Sequence, residues 1–421
     1  MGENGNKRLL KRKRAEIRFQ WIGRFAIFAS GCALLILLTT ILSTGTTAFF
    51  RTKMLVDVQL DKEAIGITSA SREQVLQGDY YSITKQAIYN LFPAVTDRSD
   101  RRDLSSMLSS GAPDEVRDYL LENPSSLGKV ASLWLTAESN LDQLHKGNIK
   151  KELDEVHRGI SNRVVSWYDF LLREGRIKSF FNIGFLSSGD SRNPEQAGVW
   201  GAIVGSFYSL LVCFLISFPM GIAAAIYLEE FAPKNRITEI IEVNINNLAA
   251  VPSIIFGLLG LAILLNTFEL PRSTPLVGGI VLALMTLPTI IIACRASLKA
   301  VPDSIRQGAM AMGASKTQAI FHHVLPLAMP GTLTGTIIGL AQALGETAPL
   351  LMIGMVAFIV DVPKSPMEPS ASLPVQIYLW AESAERGFVE KTSAAIMVIL
   401  AFLLLMNAAA VFLRTRFERR W

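Results

Sequence analysis

The sequence predicts an all-α polytopic membrane protein: six transmembrane helices with a mostly helical extracytoplasmic insertion after the first span. Three observations lead there. Half of the 421 residues are hydrophobic and only 18% are charged, with a mean hydropathy of +0.34, which is too apolar for a soluble chain of this length. Six apolar runs are long enough to cross a hydrocarbon core about 30 Å thick, which takes roughly 20 helical residues. The stretch between the first two runs carries nearly balanced charge and has room for a core of its own.

The runs cover residues 25–49, 199–228, 245–265, 276–294, 329–359 and 394–413. Lys7, Arg8 and the basic residues from Lys11 to Arg14 precede the first run, as in a signal sequence. Its apolar stretch is longer than a signal core and no small-residue cleavage site follows, so it reads as an uncleaved anchor. Threading six spans in order places the basic N-terminus, Lys234 with Arg236, the 295–316 loop and the basic C-terminus on one side. The positive-inside rule makes that side cytoplasmic, with both termini inside. The basic N-terminus then serves topology and lipid anchoring, not nucleic acid. The expected organisation is a basic cytoplasmic end (1–24), a first span (25–49), an extracytoplasmic domain (50–197), a five-helix core (198–414) and a basic tail (415–421).

Within the 50–197 domain, Met54, Val56, Val58 and Leu60 alternate as in a strand, whereas residues 115–121, 127–144 and 153–172 carry helical spacing. Pro113, followed by Asp114 and Glu115, suits a helix start, and Gly147 suits a helix end. The domain shows no nucleophile–base pair, and His145 and His157 lack the companions a metal site needs. Cys32, Cys213 and Cys294 all fall inside apolar runs, so no disulfide framework is expected. No catalytic residue and no metal ligand is assigned.

The loop after the fourth run is polar and rich in Gly and Ala. Val301 and Pro302 break the preceding helix, Asp303 and Ser304 offer caps, and residues 305–312 form a short helix ended by Gly313. A second short helix starts after Ser315 and runs to Val324, with Pro326 and Pro330 marking the turn into the fifth span. Such a knob is either a grip for a cytoplasmic partner or a connector with none. In the fifth span, Gly331, Gly335, Gly339 and Ala343 recur every four residues, a stripe that lets another helix approach closely. Gln342 and Glu346 lie one turn apart on a neighbouring face. With the span centred near residue 344 they fall close to the midplane, where an ionisable group costs at least about 2.5 kcal/mol. Glu346 therefore either serves a substrate path or locks a helix interface. Pro219, Pro252, Pro288 and Pro349 are candidate kinks, and Asn244, Asn246 and Asn247 candidate helix caps.

The loop resembles the cytoplasmic signature of binding-protein-dependent ABC importer permeases, a Glu-Ala-Ala triplet followed by a glycine, then an apolar residue and Leu-Pro. Gln307, Gly308 and Ala309 hold the triplet positions, Gly313 the glycine, His323 the apolar position, and Leu325 and Pro326 the end. The runs YLEEFAPKNR, NINNLAAVPSIIFGLLGL, LMTLPTIIIACRASLKAVPDSIR and ALGETAPLLMIGMVAF are similar to the permease family of phosphate-specific transport, in its branch with an extended N-terminal domain. This resemblance implies a bacterial inner-membrane subunit that carries phosphate along a path lined by Gln342, Glu346 and Thr347. It also implies coupling helices at 302–325, with Gln307, Gly308, Ala309, Gly313, Ala314, Ser315, Lys316, Leu325 and Pro326 meeting an ABC ATPase dimer. Further implied partners are a second permease and a periplasmic phosphate-binding protein. Many relatives carry Arg where this chain has Gln342, so the resemblance leaves an anion-facing arginine to the second permease. The chain holds no GxxxxGK[ST] phosphate loop, so ATP and Mg are expected on the partner ATPase and no cofactor on this chain. Two alternatives remain: a permease for another oxyanion or small solute, and a membrane sensor, which the short inside segments disfavour.

Overall fold

The structure, a computed structural model, describes residues 2–356 and 358–417. The side chains of Lys7, Arg8 and Lys11 and residues 418–421, on which the expected basic ends partly rest, lie outside the described residues. Among the described residues, five helices are long and apolar enough to cross a membrane, and a sixth candidate is a bent pair.

The first helix, Gly2–Gly45, merges the expected basic end and first span into one rod. A single 3-10 turn, Thr46–Phe49, leads directly into strand β1, Phe50–Gln59. Strands β2, Val130–Thr136, and β3, Ile177–Phe181, complete an antiparallel sheet in the order β2-β1-β3. Met54, Val56, Val58 and Leu60 are buried, so the alternation along β1 does mark its core face. They pack with Ile83, Ile88, Leu104, Val116, Leu120 and Leu171 from the surrounding helices.

Two helical expectations fail in this insertion. Residues 127–144 divide into β2 and the helix Ser139–His145. The segment VASLWLT pairs with β1 over its whole length, Met54 opposite Leu135 and Val56 opposite Leu133, and ladder pairing outweighs a leucine spacing that suits either period. Residues 153–172 likewise split into a turn, Glu155–Arg158, and the helix Asn162–Arg173. Gly159 at φ +72° makes the break, and Ser161 caps the new start. The helix Ala112–Glu122 does carry Pro113 in its first turn, and Gly147, at φ +79°, follows the helix ending at His145.

The insertion is fastened to two helix ends by buried charge. Lys146 Nζ lies 2.6 Å from Asp142 and 2.7 Å from Glu390, which opens the last helix, Gly387–Phe417. Glu390 also accepts the Thr47 hydroxyl at 2.7 Å, and Asp142 accepts the Thr52 amide at 2.8 Å. The buried Lys391 places its Nζ 4.7 Å from the Phe185 ring. First and last helices approach closely: a methyl group on Gly45 would meet Met397 Sδ at 2.7 Å.

The remaining core runs through the helix Trp200–Ile226 and its terminal π turn Tyr227–Phe231. The third run is not one straight span. It consists of Arg236–Ala249 and Ser253–Leu265, bent by 102°, because Pro252 supplies no amide and bars the helical conformation to Val251. Pro219 and Pro288 lie inside continuing helices. The helix Pro275–Ala300 lies against both Trp200–Ile226 and Leu325–Gly345.

The fifth run departs from expectation at both ends. Lys316–Ala319, the π turn Ile320–Val324 and Leu325–Gly345 follow one another without the expected turn at Pro326 and Pro330. Pro326 sits in the first turn of its segment, where a missing amide costs least. The helix then stops at Gly345, and Glu346 is extended at φ −76°, ψ 121°. One further turn, Ala348–Met352, precedes Gly354 at φ +91°. Glu346 therefore follows a helix end and does not lie within the helix.

Candidate functional site

The loop helix spans Asp303–Ala311. Asp303 occupies its first turn, whereas the capping position falls to Pro302 with no side-chain cap, contrary to the expected role of Asp303 and Ser304. Gly313 adopts φ +90°, a conformation that costs a β-carbon-bearing residue dearly. Ser315 and Gln318 then close a capping box: the Ser315 hydroxyl accepts the Gln318 amide at 3.3 Å and Gln318 Oε1 accepts the Ser315 amide at 2.9 Å. Gln307, Gly308, Gly313, Ser315 and Lys316 are exposed, Ala309 and Ala314 are half-buried, and Met312 at the tip is 90% exposed. Leu325 and Pro326 are half-buried at the base. The loop is thus a protruding knob held rigid by its own turn chemistry.

Beneath the knob lies an ionic network that the sequence reading did not identify. Arg306 grips Glu230 through Nε, at 3.0 and 3.3 Å, and through Nη2, at 2.7 Å. Arg295 meets Glu229 at 3.4 Å and Glu242 at 2.7 Å, and Lys299 adds a looser contact to Glu229 at 3.6 Å. The signal lay in YLEEF, since two carboxylates at a helix C-terminus oppose the macrodipole and call for counter-charges.

The small-residue stripe faces Pro275–Ala300 in antiparallel register. A methyl group on Gly331 would fall on Ser297 Oγ, one on Gly335 on the Ala293 side chain, and one on Gly339 would stand 3.8 Å from Thr289 Cγ2. Ala343 is buried one turn further on. On the neighbouring face Gln342 is exposed, and Glu346 and Thr347 are half-buried at the helix end. Among the described residues, none of these three side chains forms a hydrogen bond and Glu346 forms no ion pair. The arrangement brings Gln342, Glu346 and Thr347 together at one helix end, far along the chain from the knob.

Residues 217–421 match the family described as binding-protein-dependent transport system inner membrane component. Residues 6–155 match a family described only as a domain of unknown function. Phosphate transport system permease protein PstA 1 of Mycobacterium tuberculosis is 33% identical over 233 residues, which is 54% of this chain and 74% of that protein. PstA of Yersinia pestis is 33% identical over 52% of this chain and 72% of its own length. The chain belongs to the PstA family of permeases.

A PstA-family chain is a multi-pass membrane subunit of an ABC transporter and leaves ATP hydrolysis to a separate ATPase. PstA of Haemophilus influenzae is 31% identical over 54% of this chain and 78% of its own. Among solved structures, the inward-facing MetNI methionine ABC transporter matches 53% of this chain and 95% of its own, with a TM-score of 0.42 and 18% identity. The PstA matches cover about half of this chain, and the separately matched 6–155 region contains most of the sheet-bearing insertion.

Proposed function

We propose that this chain is a permease subunit of an ATP-driven phosphate importer in the bacterial inner membrane, forming one half of the translocation path. The observation that carries this reading is the 31–33% identity to PstA permeases, together with the family match over residues 217–421, which hold the knob, Gln342 and Glu346. The knob is the cytoplasmic coupling element, and Gln307–Ala309, Gly313–Lys316, Leu325 and Pro326 meet a PstB-like ATPase dimer that binds ATP and Mg. Both termini are cytoplasmic, and the sheet-bearing insertion lies in the periplasm, where a PstS-like phosphate-binding protein delivers substrate.

The charge of the substrate fixes the roles at the helix end. A bare carboxylate repels phosphate at close range, so Glu346 serves the path only beside a cation. Among the described residues it has none, so a PstC-like second permease contributes the arginine. Gln342 and Thr347 offer neutral donors on this side.

The test is uptake of radiolabelled phosphate by proteoliposomes holding the complete complex, competed by sulfate and by amino acids. Phosphate-selective uptake that falls sharply in Glu346→Gln is the expected result. Uptake and phosphate-stimulated ATPase activity unchanged in Glu346→Gln would remove Glu346 from the path. Selective uptake of sulfate would reassign the substrate.

A further inference from the structure

Arg306 stands one residue before the knob's triplet and joins three elements that the chain does not keep adjacent. Its Nε and Nη2 hold Glu230 in the π turn Tyr227–Phe231. Nη2 also donates to the Leu298 carbonyl at 2.8 Å, and Nη1 to the Val301 carbonyl at 2.7 Å and to Asp303 at 3.2 Å. All five N–H donors of the guanidinium therefore have partners. The pair is sheltered, with side chains 17% and 7% exposed. A second contact comes from the other side of the knob: Lys316 Nζ lies 5.2 Å from the Phe231 ring in the same π turn. Both arms of the knob thus hold the end of Trp200–Ile226, a helix separated from them by the bent pair and by Pro275–Ala300.

We infer that Arg306 is a positioning residue for transport: it clamps the knob to the π turn, so that motion delivered to the knob moves helix Trp200–Ile226. The inference rests on the coupling role proposed above. Covalent continuity, with the Arg306 bond to the Leu298 carbonyl, links the knob to Pro275–Ala300 before it, and continuity links it to Leu325–Gly345 after it. The clamp adds a third helix, which lies against Pro275–Ala300 along most of its length. A π turn suits this task, because its wider ring is a local departure from the helix that packing partners must hold in place. The bidentate fork fixes both angle and distance, which a lysine's point charge cannot do.

The experiment uses the complete complex in proteoliposomes and reads three quantities: ATPase subunit retained, ATP hydrolysed, and phosphate taken up per ATP. Arg306→Lys keeps the charge and loses the fork, and Glu230→Gln keeps the shape and loses the charge. Both should retain the ATPase subunit and most ATP hydrolysis, while phosphate moved per ATP falls about tenfold, a magnitude typical of coupling between sites. The exchanged pair R306E/E230R should recover part of the loss. Unchanged phosphate per ATP in both single variants would overturn the inference. Loss of the ATPase subunit from both would also overturn it, since Arg306 would then merely shape the docking surface. A measurement on the otherwise unaltered protein stands apart from variant folding: spin labels at Met312 and Phe218 should keep a constant separation through the ATP cycle. A separation that changes on ATP binding would show the knob moving without the helix and sink the clamp. Failure of the coupling role itself is read separately, as ATPase retention after deletion of residues 313–325.

Discussion

At the insertion end of the helix bundle, Lys146 lies between Asp142 and Glu390 with no side chain of the three more than 7% exposed. At the knob end, Arg306 is 17% exposed, Arg295 14% and Lys299 61%. The two clusters join helices to their surroundings with the same chemistry but in different solvent. Charges stripped of water must stay paired, because either partner alone is a desolvated ion. Charges at the edge of water can part and be rehydrated at modest cost. The insertion end is therefore built to stay closed, whereas at the knob end the exposed Lys299 contact can part while the sheltered Arg306–Glu230 pair stays joined.

The sharpest way to break this contrast is Lys146→Met, which leaves Asp142 and Glu390 buried without their cation. It should cost about 3–5 kcal/mol, read as a lower melting temperature of the detergent-solubilised protein. The double variant D142N/K146M should recover most of that loss, because it leaves Glu390 to balance the buried Lys391. An unaltered melting point for Lys146→Met would mean that water reaches the cluster after all.

Between the two ends the bundle depends on close packing. Gly335→Val should cost about 1–3 kcal/mol by overpacking, since its β-carbon falls on the Ala293 side chain. Thermal unfolding measures the cost. A tolerated Gly335→Val would place the tight contact elsewhere. At the exposed edge of the knob network, Lys299→Ala should change stability by less than about 1 kcal/mol, and salt should mask even that. A large effect there would show that the knob network is as dry as the insertion cluster.

The smallest expected effect is a pH dependence within the insertion. Burial pushes the Glu195 and Glu138 carboxyls above the usual carboxylate range, although Glu195 accepts the Ser109 hydroxyl at 2.7 Å and Glu138 accepts the Asn140 amide at 2.9 Å. The folded protein then holds these protons at pH values where the unfolded chain has lost them. Stability from these groups is greatest at low pH and falls as pH rises from the ordinary glutamate range, about 4.3, through the raised values. Glu195→Gln should flatten that fall, as followed by melting temperature across pH. A steeper fall in the variant would reverse the sign.

Much of this was legible in the sequence where a single period governs a segment. The apolar runs mark the long helices, and the alternation from Met54 to Leu60 marks β1. The segment from Val130 to Thr136 was ambiguous because its leucines satisfy two periods, and its partner strand lies far upstream. Pro252 announced a kink, but its 102° size depends on packing. The run 329–359 reads as one long apolar stretch around Gln342 and Glu346, although the helix ends at Gly345. The ionic clusters were least legible. Arg306 and Glu230 are 76 residues apart and Lys146 and Glu390 are 244 apart, so no local pattern pairs them.

The direct passage from the first helix into β1 has a consequence for synthesis. β1 is the central strand, yet it emerges from the ribosome first, and its partners begin only at Val130 and Ile177. Until they arrive, both of its edges carry unpaired amides and carbonyls, the state most open to wrong pairing. The sheet closes only as Trp200 and the next apolar helix follow. Anchoring the first helix in the bilayer would hold that open strand at the membrane surface, one copy at a time, while the rest of its domain is made.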